Sequence, residues 1–184
     1  TGYANTATGF QSLFKNATGI QNTATGLNSL YSNITGNNNT ANGNESLYSN
    51  TTGHNNTANG VKSLFINSTG INNTASGYAS LYNNNADNNT AHGYGALFTN
   101  TQGIDNTANG LQALYFNNVG IENTSSGYRS LYYNDGDNNT ADGSSALYLN
   151  TTGDHNTAVG YHTLFYNATG SYNSAIGYAA GVAS

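Results

Sequence analysis

The apolar residues of this chain recur in one fixed arrangement instead of helical stripes or long strand-like runs. A Leu followed at once by Tyr or Phe returns every sixteen or seventeen residues, at Leu13-Phe14, Leu30-Tyr31, Leu47-Tyr48, Leu64-Phe65, Leu81-Tyr82, Leu97-Phe98, Leu114-Tyr115, Leu131-Tyr132, Leu147-Tyr148 and Leu164-Phe165. Each pair sits inside the motif N-T-A-x-G-x-x-(S/A)-L-(Y/F)-x-N-x-x-G-x-x, as in residues 22–38. The first Asn of each copy falls at Asn5, Asn22, Asn39, Asn56, Asn73, Asn89, Asn106, Asn123, Asn139, Asn156 and Asn173. Positions 1 to 17 are numbered from it below. Fixed periodicity of this kind makes one quasi-linear array, so residues 1–184 read as a single uncapped repeat domain.

The unit is too short for a helical hairpin, and its Gly and Asn content opposes helix. Two strands of about five residues and two bends fit it. The predicted fold is all-β, a parallel β-solenoid of about eleven turns and roughly 50 Å length at ~4.8 Å per turn. Gly at position 15 suits a bend with positive φ; Ala86 alone replaces it. Two copies are one residue short near positions 13–14, within residues 83–88 and 133–138, as expected of a surface bend.

In-register stacking turns the repeat into columns. The position 1 asparagines form one predicted amide ladder. The position 12 asparagines, Asn16, Asn33, Asn50, Asn67, Asn84, Asn100, Asn117, Asn134, Asn150 and Asn167, form a second. Small residues at positions 3, 5 and 8 suit a thin interior.

This pattern, above all Asn173-Ser174-Ala175-Ile176-Gly177-Tyr178-Ala179-Ala180-Gly181, resembles the head repeats of YadA-like trimeric autotransporter adhesins and related bacterial and phage fibre proteins. The resemblance implies a left-handed parallel β-roll, usually trimeric, displayed outside the cell. The present repeat is longer and carries a Leu-aromatic pair where that family is mostly small.

Composition narrows the partners. Only 6% of residues are charged, with a net charge of −5, so solubility rests on neutral Asn, Thr, Ser and Gly. Three scattered bases, Lys15, Lys62 and Arg129, are too few to track a phosphate backbone, and nucleic acid is not an expected partner. No apolar run reaches the ~18–20 residues of a membrane span. There is no Cys, and no cofactor is implied.

Two columns are candidates for function. The aromatics Phe14, Tyr31, Tyr48, Phe65, Tyr82, Phe98, Tyr115, Tyr132, Tyr148 and Phe165 form a candidate oligomer or partner stripe. Neighbouring strand residues face opposite ways, so either the Leu or the aromatic column faces out, unless a corner buries both. The threonines Thr6, Thr23, Thr40, Thr57, Thr74, Thr90, Thr107, Thr124, Thr140 and Thr157 form a candidate outward row, read either as a hydroxyl ladder or as an ice-contacting face. Position 4 beside it is mixed, which weighs against ice.

Thirteen N-x-S/T sequons arise from the repeat itself, at Asn16, Asn33, Asn38, Asn44, Asn50, Asn55, Asn67, Asn72, Asn88, Asn123, Asn138, Asn150 and Asn167. Asp135-Gly136-Asp137 lacks the regular spacing of calcium-binding β-roll repeats. His54, His92, His155 and His162 share no column, and no triad or carboxylate pair stands out, so neither a metal nor a catalytic site is expected.

The expected function is a non-enzymatic extracellular or cell-surface fibre module. Its partner is itself, as a head-to-tail filament or a homotrimer. The alternatives are a receptor- or glycan-binding head of an adhesin or phage fibre, and an ice-binding protein.

Overall fold

The computed structural model describes residues 2–181; Thr1 and residues 182–184, included above in the single repeat domain, lie outside the described residues. The described residues form a parallel β-solenoid without helix. One sheet of eleven strands runs its length. Its three-residue strands are Thr6–Thr8, Thr23–Thr25, Thr40–Asn42, Thr57–Asn59, Thr74–Ser76, Thr90–His92, Thr107–Asn109, Thr124–Ser126, Thr140–Asp142, Thr157–Val159 and Ser174–Ile176. Pairing is parallel and in register, Thr23 against Thr40 and Ala24 against Ala41.

The strands are shorter than the five residues expected. On the second side only two-residue pairs form, Asn83–Asn84 with Thr99–Asn100 and Tyr133–Asn134 with Leu149–Asn150, linked by single bridges at Ile66, Thr99 and Phe116. Backbone bonds between turns nevertheless continue through the bends. Gly26 N–H donates to Thr8 O, Asn28 N–H to Phe10 O, Leu30 N–H to Ser46 O and Ser32 N–H to Tyr48 O.

The interior is built from Ala at position 3 and Leu at position 9, which are fully buried in the central turns. Position 8 adds Ser, Ala or, once, Thr163, and its hydroxyl is bonded to a nearby carbonyl, as in Ser46 Oγ to Gly43 O at 3.1 Å. Ser125, which replaces the position 3 Ala, bonds Ser130 O at 2.8 Å.

The Leu column enters the core through an uncommon backbone. All ten position 9 leucines have φ between 47° and 55°, the left-handed region that costs an ordinary residue about 1–2 kcal/mol. Burying a Leu side chain contributes about 1.5–3 kcal/mol, and each of these Leu N–H groups finds a carbonyl in the next turn. Burial therefore outweighs the strain. Position 7 is left-handed as well, so the chain turns a tight corner that sends Leu inward and leaves the next residue outside.

The two glycine columns act differently from one another. At position 5, φ lies between 125° and 139°, and a Cβ on Gly60 would lie 2.6 Å from Gly77 O. At position 15 the predicted positive φ is absent. The constraint there is space, since a Cβ on Gly53 would lie 2.4 Å from Asn50 Oδ1 and 2.5 Å from Gly70 O. Positive φ falls instead at position 17, where the Asn-rich column tolerates it.

Gly60→Ala combines backbone strain with a main-chain clash and is expected to destabilise by at least about 2 kcal/mol, and Leu64→Ala by about 2–5 kcal/mol. Chemical denaturation followed by circular dichroism measures both.

Candidate functional surfaces and the amide ladders

Both predicted Asn columns run through the buried interior as hydrogen-bonded ladders, each with its own geometry. At position 12 the amides bond one another directly. Asn50 Nδ2 donates to Asn33 Oδ1 at 2.8 Å and to Gly53 O at 3.1 Å, while its Oδ1 accepts from Asn67 Nδ2 at 3.2 Å. At position 1 the oxygen also takes a main-chain proton. Asn39 Oδ1 accepts from Asn56 N at 3.0 Å and Asn56 Nδ2 at 3.2 Å, and Asn56 Nδ2 also donates to Gly70 O at 2.8 Å. Within a turn both ladders converge on the position 15 carbonyl, as Asn33 and Asn22 do on Gly36 O at 2.9 and 2.8 Å. A buried neutral amide has the donor and acceptor count this arrangement needs. A carboxylate there would supply no donor and an unpaired charge.

The two short turns keep this network by substituting a side chain for a carbonyl. In a full turn Thr51 O accepts Ile34 N–H and Thr35 N–H. In the short turns Asn85 Oδ1 accepts Ser68 N–H at 2.7 Å, and Asp135 Oδ1 accepts Asn118 N–H at 2.7 Å and Val119 N–H at 3.3 Å. Asp137 Oδ1 accepts Ile121 N–H at 2.9 Å, as position 16 side chains also do in full turns, for example Asn37 Oδ1 from Ile20 N–H at 2.8 Å. The Asp135-Gly136-Asp137 run is thus occupied with backbone amides. Asp135 also lines a groove with Phe116, Asn118, Tyr133, Asn134 and Thr151.

The Thr column lies on the outer side of the long sheet, half-buried to exposed, with position 3 facing inward between it and position 4. Position 4 beside it is irregular, but Asn42 and Asn59 bond across turns at 3.0 Å.

The aromatic column is outside the core and stacks on itself. From Phe14 to Phe165 successive rings lie 4.9–5.5 Å apart, centroid to centroid, and within 13° of parallel. Ring faces therefore cover one another, which is the preferred offset contact, and the edges point outward. Burial raises the phenol pKa of Tyr115 above its ordinary 10.0, with repulsion from Tyr94 adding to it. Tyr132 is raised as well, first by burial, then by Tyr133, with Arg129 opposing.

A second apolar column went unread in the sequence. Position 6 holds Phe10, Leu27, Val61, Tyr78, Tyr94, Leu111, Tyr128, Tyr161 and Tyr178, all exposed, with Asn44 and Ser144 in the two remaining turns. Position 7 side chains bridge it to the aromatic stack. Arg129 lies 5.1 Å from the Tyr128 ring and 5.3 Å from the Tyr132 ring, and His162 stacks on Tyr161 at 4.0 Å and meets Phe165 at 4.6 Å. Position 11 extends the same surface through Phe116, Tyr133 and Tyr166, edge-on to the stack. Lys15 and Lys62 also lie over stack rings, Tyr31 at 5.0 Å and Phe65 at 5.7 Å. All three Lys and Arg residues of the chain thus sit on this face. The readable signal was the confinement of those cations to positions 7 and 11, on either side of the aromatic column.

The sequons divide by burial. Asn33, Asn50, Asn67, Asn123 and Asn150 are buried rungs, whereas Asn38, Asn44, Asn55, Asn72 and Asn88 are exposed. No helix of the described residues is long and apolar enough to cross a membrane. Comparisons with known protein families, curated proteins and solved structures find no match to the chain.

Asn50→Ala leaves buried partners unpaired and is expected to cost about 2–4 kcal/mol, while Asn59→Ala, on the exposed ladder, stays within about 0.5 kcal/mol. Urea midpoints of the two variants compare them. Because the Tyr115 and Tyr132 phenols ionise less readily folded than unfolded, their contribution to stability is complete below pH 10 and is lost as pH rises above it. Thermal melts from pH 8 to 12 should show this decline, and it should be smaller in the double variant Tyr115→Phe, Tyr132→Phe.

Proposed function

We propose that this chain is a structural module of an extracellular or cell-surface fibre, in which the solenoid continues along its axis from one copy to the next. The observation that carries this reading is that each turn pairs with the next by the same in-register backbone bonds along the whole described sheet. The position 5 and position 7 N–H groups of one turn donate to the position 4 and position 6 carbonyls of the turn before, as Gly26 N–H does to Thr8 O and Asn28 N–H to Phe10 O. A turn of this repeat on another copy offers the same donors and acceptors, in register.

The columns keep like residues along the sheet, as Asn5 and Asn173, Thr6 and Ser174, and Ala7 and Ala175 do, and a strand edge of this pattern templates further pairing. Sparse charge, 6% of residues, and the resemblance to adhesin and fibre head repeats support display outside the cell. Stacked ring faces argue against the glycan-binding alternative on the aromatic stripe, because a sugar would need those faces open.

Electron microscopy of the purified chain across a concentration series tests the proposal. Rods should lengthen in steps of roughly 50 Å, the span of eleven turns at ~4.8 Å. Replacing Ala7 with Arg, which puts a bulky charge on the end of the Ala column, should stop growth. Rods of one-copy length at every concentration would overturn end-to-end stacking.

A further inference from the structure

We infer that the apolar face built from positions 6, 7, 10 and 11 pairs side by side with the same face of a second copy, antiparallel, about a two-fold axis through the sixth turn at Tyr94. This contact is lateral and does not depend on the end-to-end stacking proposed above.

The face is large and single. Position 6 alone exposes nine large apolar side chains, most of them about half exposed, and Phe116, Tyr133 and Tyr166 widen it. At the 150–250 Å² of an aromatic side chain, this amounts to roughly 1,000 Å² of apolar surface. A typical monomer's largest patch is about 300–600 Å², and a standard interface takes about 800 Å² from each partner. Elsewhere the exposed large apolar residues are scattered, as Ile34, Ile104 and Val119. One face per chain suits an isologous pair, whereas a closed three-fold ring needs two different contact faces.

The order of residues along position 6 selects a second copy as the occupant, and its direction. Counting turns from Asn5, the two polar interruptions fall in the third turn, at Asn44, and the ninth, at Ser144. They are equidistant from the sixth. An antiparallel copy centred there places Asn44 opposite Ser144, Val61 opposite Tyr128, Tyr78 opposite Leu111, and Tyr94 on its own symmetry mate. Polar then meets polar and apolar meets apolar in every turn, at a pitch that a second copy reproduces along the whole face. A parallel copy at zero stagger would do the same for identity but would set Glu45, Lys62 and Arg129 each on its own like charge. The antiparallel copy sets Arg129 opposite Lys62, whose partner Glu45 lies one turn along at 3.7 Å, Nζ to carboxylate oxygen, so the two cations share one carboxylate, and Glu45 itself meets Ser145 instead of a second Glu45. In the central turns position 7 is Ala79, Gly95 and Gln112, so no charge is buried there.

Cysteine cross-linking decides between the arrangements, since the chain has no native Cys. Position 6 already accommodates Asn, Ser, Val, Leu, Phe and Tyr, so single substitutions there are compatible with the fold; circular dichroism of each variant checks this. Under mild oxidation Tyr94→Cys should form covalent dimers at least tenfold faster than Thr57→Cys on the opposite sheet. Val61→Cys and Tyr128→Cys should cross-link when mixed and not alone. Cross-linking of Val61→Cys with itself would overturn the antiparallel arrangement. Equal rates for Tyr94→Cys and Thr57→Cys would overturn the face. For the Ala7→Arg chain, in which axial growth is blocked, sedimentation at hundreds of micromolar should give a dimer wider than the monomer. A monomer, a trimer, or a dimer of doubled length and single width at that concentration would each overturn the pair.

Discussion

Each complete described turn is closed by two asparagine amides that donate to the position 15 carbonyl, glycine everywhere but at Ala86, and the rest of the structure depends on that junction. The position 1 and position 12 side chains come from opposite sides of the turn and meet on the position 15 oxygen, as Asn22 and Asn33 do on Gly36. Their own oxygens are taken by the adjacent turn. One side-chain type thus ties each turn both to itself and to its neighbours. Strands are only three residues long, and two on the other side, and the buried amides add to the backbone bonds that run from turn to turn through the bends.

The second consequence concerns what is left outside. Left-handed backbone at positions 7 and 9 buries the position 9 Leu and keeps every following ring out of the core. Those rings then have only one another to pack against, and the constant pitch lets them do so without interruption. Position 6 emerges beside them, and the cations settle over the rings because that is where the chain's few long side chains can cover apolar surface. The described residues thus carry a polar sheet on one side and an aromatic face on another.

Much of this was legible because repetition turns each position into a repeated experiment. The parallel solenoid follows from the period alone, and the Asn columns from having no variation at positions that a surface loop would leave free. The Leu-aromatic pair was ambiguous for a physical reason. Strand alternation says that one of two adjacent residues faces in, but not which, and the answer depended on φ signs that no residue type at position 9 announces, since Leu seldom adopts them. The glycine column at position 15 was misread similarly. A glycine serves either positive φ or close approach, and only the packing of Gly53 against Asn50 and Gly70 separates the two.

The deletions show the same division. That one residue could be lost near positions 13–14 was readable from two copies. That Asn85 and Asp135 stand in for the missing carbonyl required the geometry of the preceding turn's amides. Turn length, in-register stacking and the identity of the buried amide rungs are written in the repeat, because translational symmetry allows only residues that pair with copies of themselves. Which side of each corner faces water is settled only by folding. Backbone direction at a bend is set by the combined demands of burial and hydrogen bonding between turns, and these exist only once the turns are stacked.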